Sequence, residues 1–406
     1  MDREKLISQK RKDGAFVVWL LVFSCFYKIA VVDGGIIYKL LSSLVNNLPL
    51  AETSRYTDTI TIVKLYFIGI SLHTFCLFFW LFRERWRIRV THSLKEECLL
   101  LMFAIRMLSE FYIHKGMSAY SFVYDVLCFF VILVFYQIRN DVDNLTNLQL
   151  RVAQCIYRIG LLCAIFALSY FFVGLRQDFS AFEFRYFRIG GFMFDAILAG
   201  FLYGIGLISA FDLHKQGKIK TVELIVAAIL FSIGCLLTGS RGAFYFLAIA
   251  IFYFVGSKKS YSKYVFVGMF VVLAIVLYST FLTEQEVSFV SDGARSYKYS
   301  LAFKVFLDHP VTGVGTNMFH YYDTIYGSNP HNLPLTMLAE NGAIGFLPYA
   351  VWFVSSFIDI VKTKSQYWRW MAISFVVLSM ILGTLTNMIT VIIMVMVTWA
   401  CEATKE

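Results

Sequence analysis

The chain is 406 residues long, with 59% hydrophobic, 18% aromatic and only 16% charged residues, and a formal net charge of +9. Its mean hydropathy is +0.68, and its charged fraction lies well under the roughly 25% of a soluble globular chain, which excludes a water-soluble domain. The positive charge gathers in short turns between apolar runs, the pattern of inner loops in a multi-span membrane protein and not of a nucleic-acid-binding surface.

Apolar runs long enough to cross a bilayer recur from end to end. They predict an all-α, polytopic fold of about 12 transmembrane helices, at 14–32, 60–82, 93–113, 117–138, 152–175, 189–211, 221–238, 241–256, 264–283, 343–361, 369–386 and 387–401. The first run, Phe16–Val32, is too long for a signal-peptide core and has no A-x-A site behind it, so a membrane helix is expected there. The last two spans share 33 residues, short for two crossings of a ~30 Å core. One set of connections is basic: DREKLISQKRK, RERWRIR, HKQGKIK, SKKSYSK and KTKSQYWR. The positive-inside rule makes these cytoplasmic, and an even helix count puts both termini there too. The segment from Asn140 to Arg151 fits the cytoplasm by parity and not by charge. Seven cysteines fall in apolar runs and Cys401 in the tail, so neither a disulfide nor a thiolate metal site is expected. No fixed-period repeat or low-complexity stretch divides the chain, and a single integral membrane domain over 1–406 is the expectation.

With this orientation the outer segments are 33–59, 114–117, 176–188 and 284–342. The first places Ile37, Leu41, Leu44, Val45 and Leu48 at helical spacing, which predicts an amphipathic helix at 36–48 on the outer interface. The last is the longest stretch unfit for lipid and holds Pro310, Pro330 and Pro334. Asp292 is placed to cap a helix from Gly293 to about Leu307, with Ala294, Tyr297, Leu301 and Val305 as its apolar stripe and His309-Pro310 as its stop. Thr312-Gly-Val-Gly-Thr316 then reads as a turn needing backbone freedom. After Pro330-His331-Asn332 a second short helix is predicted, stopping near Gly342 before the next span.

Four ionisable residues reach the outer face together. Arg188 opens the sixth helix in RYFRIGG, Arg241 sits in the turn TGSRGAF, Arg295 lies in the first turn of the loop helix, and His331 precedes the second loop helix. Singly, an arginine at a membrane surface commonly snorkels to water, and a lone loop histidine is more often a hydrogen-bonded bystander than a catalyst. Their convergence on one face is what lifts them above that reading. Arg106, Glu110 and His114 share one face of the third helix at i, i+4, i+8, and read as an internal charge pair that eases insertion, not as a proton relay. The outer acids Glu284, Glu286, Asp292, Asp308 and Asp323 show no DxD or Asp-x-Asn spacing, so no metal is expected.

TGSRGAF, followed by DGAR, HPVTGVG, PHN and ENGAIG, resembles the O-antigen ligase/polymerase superfamily of bacterial envelopes over roughly 185–350. Its pattern runs S-R-G at a helix start, G-x-R, P-x-x-G-x-G, then H-N and a glutamate before G-x-x-G. Pro310–Gly315, His331-Asn332, Glu340 and Gly342–Gly345 fit it, and ten residues separate His331 from Gly342, the spacing of ligases in the family. Two departures stand out: Tyr245 replaces the leucine of R-x3-L, and the loop from Gly315 to His331 is short for binding a large second acceptor. RYFRIGGFMFDAILAG is similar to the R-x-x-G…D-x-N pattern of many polymerases, with Asp195 kept and the asparagine absent. Together these lean toward polymerase over ligase.

The resemblance implies a GT-C-like membrane fold. Its implied substrate is an undecaprenyl-diphosphate-linked oligosaccharide, handled on the periplasmic side of the inner membrane without cofactor or metal. It assigns Arg241 and Arg295, supported by Arg188, to charge compensation on the departing diphosphate, which arginine forks do well. It assigns His331 to orienting or deprotonating the acceptor hydroxyl in an inverting displacement. Asn332, Gly313 and Gly315 join Arg188, Arg241 and Arg295 as residues for the diphosphate or sugar. Membrane lipid is the surrounding partner, and the resemblance admits a chain-length regulator protein as another. A flippase for the same lipid, or a transferase that glycosylates protein, stays open, although transporters gather ionisable groups near the midplane and not at one face.

Overall fold

The computed structural model describes residues 94–113, 125–126, 128–130, 132–133, 145–177, 196–257, 285–325, 329–382, 391 and 394–396. Every regular element among them is helical: α1 (Leu94–Ile113), α2 (Leu145–Gln177), α3 (Ala196–Lys215), α4 (Thr221–Leu237), α5 (Arg241–Ser257), α6 (Gln285–Asp308), α7 (Phe319–Tyr322), α8 (Leu333–Lys362) and α9 (Gln366–Ile381). Gln149–Ser169, Ala196–Lys215 and Leu333–Lys362 are long and apolar enough to span a bilayer, and the shorter apolar helices are Thr221–Leu237 and Arg241–Val255. The described residues are thus all-helical and consistent with a polytopic membrane protein. The helices predicted at 14–32, 60–82 and 264–283, and the interfacial helix at 36–48, lie outside the described residues.

The described residues pack as two compact units. In the first, α3 is apolar on every side, as befits a helix wrapped by others, and α2, α4 and α5 surround it. Small residues set how closely the helices approach. Gly200 and Gly204, four apart on α3, receive α5: a Cβ at Gly200 would lie 2.5 Å from the Ala243 Cα, and one at Gly204 would lie 2.5 Å from the Phe246 Cβ. Gly160 on α2 and Gly206 on α3 make room for the Phe231 ring of α4 in the same way, while Gly234 receives Tyr203. At the far end of α3 the buried Asp212 accepts hydrogen bonds from Gln149 (3.0 Å), Gln216 (2.6 Å) and Tyr253 (2.9 Å), which ties α2 and α5 to α3.

The second unit holds α1, the segment around 125–133 and α6 to α9. One apolar cluster in it joins Ala302 and Val305 of α6, Val314 of the following loop, Phe319 of α7 and Ala339 of α8. Further along α8, Trp352 meets Phe375 of α9 edge to face at 6.0 Å. Lys95 of α1 and Asp359 of α8, both buried, form an ion pair.

Two expectations change. The loop helix does not begin at Asp292: α6 starts at Gln285 and runs through Asp292 and Gly293. The preceding QEVSFVS holds no proline or glycine to stop it, and an Asp or Gly inside a helix costs only about 1 kcal/mol or less. The buried line of α6 is also rotated from the predicted stripe, with Lys298, Ala302 and Val305 innermost. The expected stop near Gly342 is present: α8 consists of two helical stretches that meet at a non-helical Gly342.

Candidate functional site

Arg241 is the first residue of α5, as the S-R-G reading requires. The turn before it is built by Gly239 at φ +55° and by Thr238, whose hydroxyl donates to Cys235 O (2.7 Å) and accepts from Ser240 N (3.2 Å). Ala243 N donates to Ser240 O, closing the first turn. Because Ala243 lies against Gly200, the place of Arg241 is set by close helix packing one half-turn away. Arg241 belongs to the first unit. Arg188 and Asp195 lie outside the described residues.

In the second unit the loop from Pro310 to Thr316 is docked on the bend of α8 by a set of backbone hydrogen bonds. Gly342 has φ +59° and ψ −162°, a conformation open essentially to glycine only. The bend frees amides and carbonyls that a straight helix would pair internally. Ala343 N donates to Pro310 O (2.9 Å) and Ile344 N to Val311 O (3.1 Å). In the other direction Val314 N donates to Ala339 O (3.0 Å) and Gly315 N to Glu340 O (2.8 Å). Gly313, at φ +67°, donates to His309 O, and a Cβ on it would lie 2.6 Å from Asn341 N. The amides of Gly313 and Gly315, which a diphosphate would need, are therefore already engaged. The glycines of P-x-x-G-x-G let two backbones touch.

A buried polar network holds this loop to α1. Thr316 N donates to Ser109 Oγ (3.1 Å), its hydroxyl donates to Arg106 O (3.2 Å), and Asn341 Nδ2 donates to Thr316 Oγ1 (2.9 Å). Arg106 grips Asp125 with Nε at 3.0 Å and Nη2 at 3.3 Å, a two-pronged pair with both side chains buried. Arg106 was expected to pair within its own helix. It reaches Asp125 on another segment, while the side chains of Glu110 and His114 lie outside the described residues. Glu340, 1% exposed, accepts from the backbone N–H groups of Asn317 and Phe319 and feels the Arg106 charge, while its Oε1 has no hydrogen-bond partner among the described residues. Asp125, Ser109, Thr316 and Asn341 escaped the sequence reading. A lone acid inside the apolar run YDVLCFF was the one signal that could have flagged Asp125.

Arg295 sits half-buried on α6, one turn before the buried Lys298. Burial pushes the Lys298 ammonium below the usual lysine range; the buried Asp323 carboxylate opposes that shift and the Arg295 charge adds to it. Three charges thus meet around Lys298, Arg295 among them. His331 takes φ +56°, a left-handed turn costing a non-glycine residue roughly 1–2 kcal/mol, directly before the α8 N-cap. Asn332 is that cap: its Oδ1 accepts from Leu335 N at 3.1 Å. Arg295 and His331 thus stand on α6 and at the start of α8, elements packed on each other through Ala302, Val305 and Ala339.

Residues 226–350 match the family model described as O-antigen ligase. The match takes in Arg241, Arg295, Gly313, Gly315, His331, Asn332, Glu340 and Gly342, and begins after Arg188. It supports the superfamily resemblance carried by the motifs. No curated protein matches the chain.

Proposed function

With a domain of the O-antigen ligase family spanning residues 226–350, we propose that this membrane protein is a surface-polysaccharide polymerase. It joins polyprenyl-diphosphate-linked oligosaccharide repeat units on the periplasmic face of the bacterial inner membrane, with both termini cytoplasmic. What supports the reading is that Arg295, on α6, and His331, at the start of α8, stand on helices packed against each other in one unit. Arg241 opens α5 at a turn that the alternation of basic connections assigns to the same side of the membrane.

The bond to be broken joins an anomeric carbon to a diphosphate, already a good leaving group. The protein adds positive charge as that group departs, from Arg295 and Arg241 with Arg188 in support, and aligns the acceptor hydroxyl through His331. A single displacement inverts the anomeric centre and needs no metal. A second reading, ligation of the glycan to lipid A–core, is favoured by the description of the matching family model.

Purified protein supplied with the polyprenyl-diphosphate oligosaccharide as its only sugar substrate separates these. A ladder of longer lipid-linked chains supports polymerisation, whereas reaction only after lipid A–core is added makes the protein a ligase. Arg241→Ala and Arg295→Ala should each lower turnover about 10²–10³-fold, and His331→Ala about 10²–10⁴-fold, with membrane insertion intact. Near-normal rates in all three overturn the assignment, and strong inhibition by chelator would bring a metal into the mechanism.

A further inference from the structure

We infer that Asn332 is a positioning residue for His331, a clamp between the start of α8 and the end of α9, and not a contact to the glycan donor. The inference rests on the reading of His331 given above. Each end of the half-buried Asn332 amide makes a hydrogen bond within the protein. Its Oδ1 accepts from Leu335 N at 3.1 Å and its Nδ2 donates to Met380 O at 3.3 Å. The backbone N–H decides which end is oxygen, so the other end is a donor and the Met380 carbonyl is its acceptor. Met380 lies in the last turn of α9, beyond Leu378, whose carbonyl accepts from the C-cap amide of Leu382, and helix ends characteristically turn such carbonyls to partners outside the helix.

The main chain is fixed as firmly. Asn332 O accepts from both Thr336 N (2.9 Å) and Thr336 Oγ1 (2.8 Å), and Pro334 in the first turn of α8 stiffens the exit. Asn332 is extended, at φ −145° and ψ 113°, while His331 before it is left-handed at φ +56°. The chain reverses hand across one peptide unit, and that reversal sets the direction in which the His331 side chain leaves the main chain. The α9 terminus therefore takes part in aiming a residue that it does not adjoin in sequence.

Asn332→Ser tests this directly, because serine keeps an N-cap acceptor and removes only the donor to Met380. Turnover should fall roughly 10²-fold, as for a misplaced catalytic group, with KM for the lipid-linked donor unchanged. The double variant Asn332→Ser/His331→Ala should be no slower than His331→Ala alone. A raised KM with turnover kept would make Asn332 a substrate contact and overturn the inference, as would full activity. A second readout needs no activity. In protein labelled with 15N-histidine, the imidazole signal that vanishes in His331→Ala should shift in Asn332→Ser, and an unmoved signal refutes the clamp. If the unaltered protein forms no glycan product, the proposed function fails while the imidazole signal still decides the role of Asn332.

Discussion

Gly342→Ala puts the docking of the outer loop to a quantitative test. An alanine there must hold φ +59°, ψ −162°, at roughly 1–3 kcal/mol for a residue with a Cβ. That Cβ would press on Val311 O and lie 2.5 Å from Gly313 N, and both are backbone atoms that cannot swing aside. Either the loop retreats or α8 straightens. A straightened helix recovers its own hydrogen bonds, so that ledger nearly balances. What is lost is the seat of Val314 on Ala339 and Phe319 and the aim of everything before the bend, His331 included. Adding an overpacking cost of about 1–3 kcal/mol gives roughly 2–6 kcal/mol in all.

Gly217→Ala is the matching control. Gly217 has φ +69° but nothing within 4 Å of a would-be Cβ, so it carries the backbone strain without the clash, about 1 kcal/mol. Thermal melts of the two variants in detergent, read by helicity, should place Gly342→Ala several degrees below Gly217→Ala. Trypsin cutting at the exposed Lys304 of α6 should quicken only in Gly342→Ala. If both variants melt together and Lys304 stays equally protected, the crowded docking has no energetic weight and the reasoning fails.

The buried pair offers an unequal outcome. Arg106→Met leaves Asp125 without its two-pronged partner and Glu340 without its cation, so it should destabilise by the ~3–5 kcal/mol of a broken buried pair; Asp125→Asn, which keeps Arg106 facing Glu340, should cost measurably less by the same melt. Gly200→Leu forces α5 away from α3 at Ala243, half a turn from Arg241, and should lower both melting temperature and turnover, whereas Val222→Leu on an exposed face of α4 should change neither.

Much of the helical skeleton was legible. Thr221–Leu237 and Arg241–Ser257 fall within a residue of their predicted ends because Gly239 and the basic turn mark them. Elsewhere hydropathy saw only the part of a helix that lipid would hold. α2 begins at Leu145, seven residues before its apolar run, because backbone hydrogen bonding continues into polar sequence. The break at Gly342 was legible from the glycine, but not what supports it: the carbonyls and amides of Pro310–Gly315 that pair with the broken turn come from a loop some thirty residues earlier. The pairing of Arg106 with Asp125 was hidden for a similar reason. Helical periodicity proposes partners three and four residues away, and this pair is nineteen apart.

The commitments of the loop bear on how a diphosphate could be held. In phosphate-binding glycine loops the amides point at the anion. Here the Gly313 amide goes to His309 O and the Gly315 amide to Glu340 O, so the same residue type serves a different end. Under the proposed reading the developing charge must then be met by side chains, and α6 presents Arg295 with Lys298 behind it. The lysine is buried and its ammonium is disfavoured there, while an arginine keeps its charge under the same pressure and offers two parallel N–H groups. Arg295, half-buried beside that lysine, is thus the group on α6 suited to receive an anion, while the glycines fix the loop whose Val314 packs with Ala302 and Val305 of the same helix.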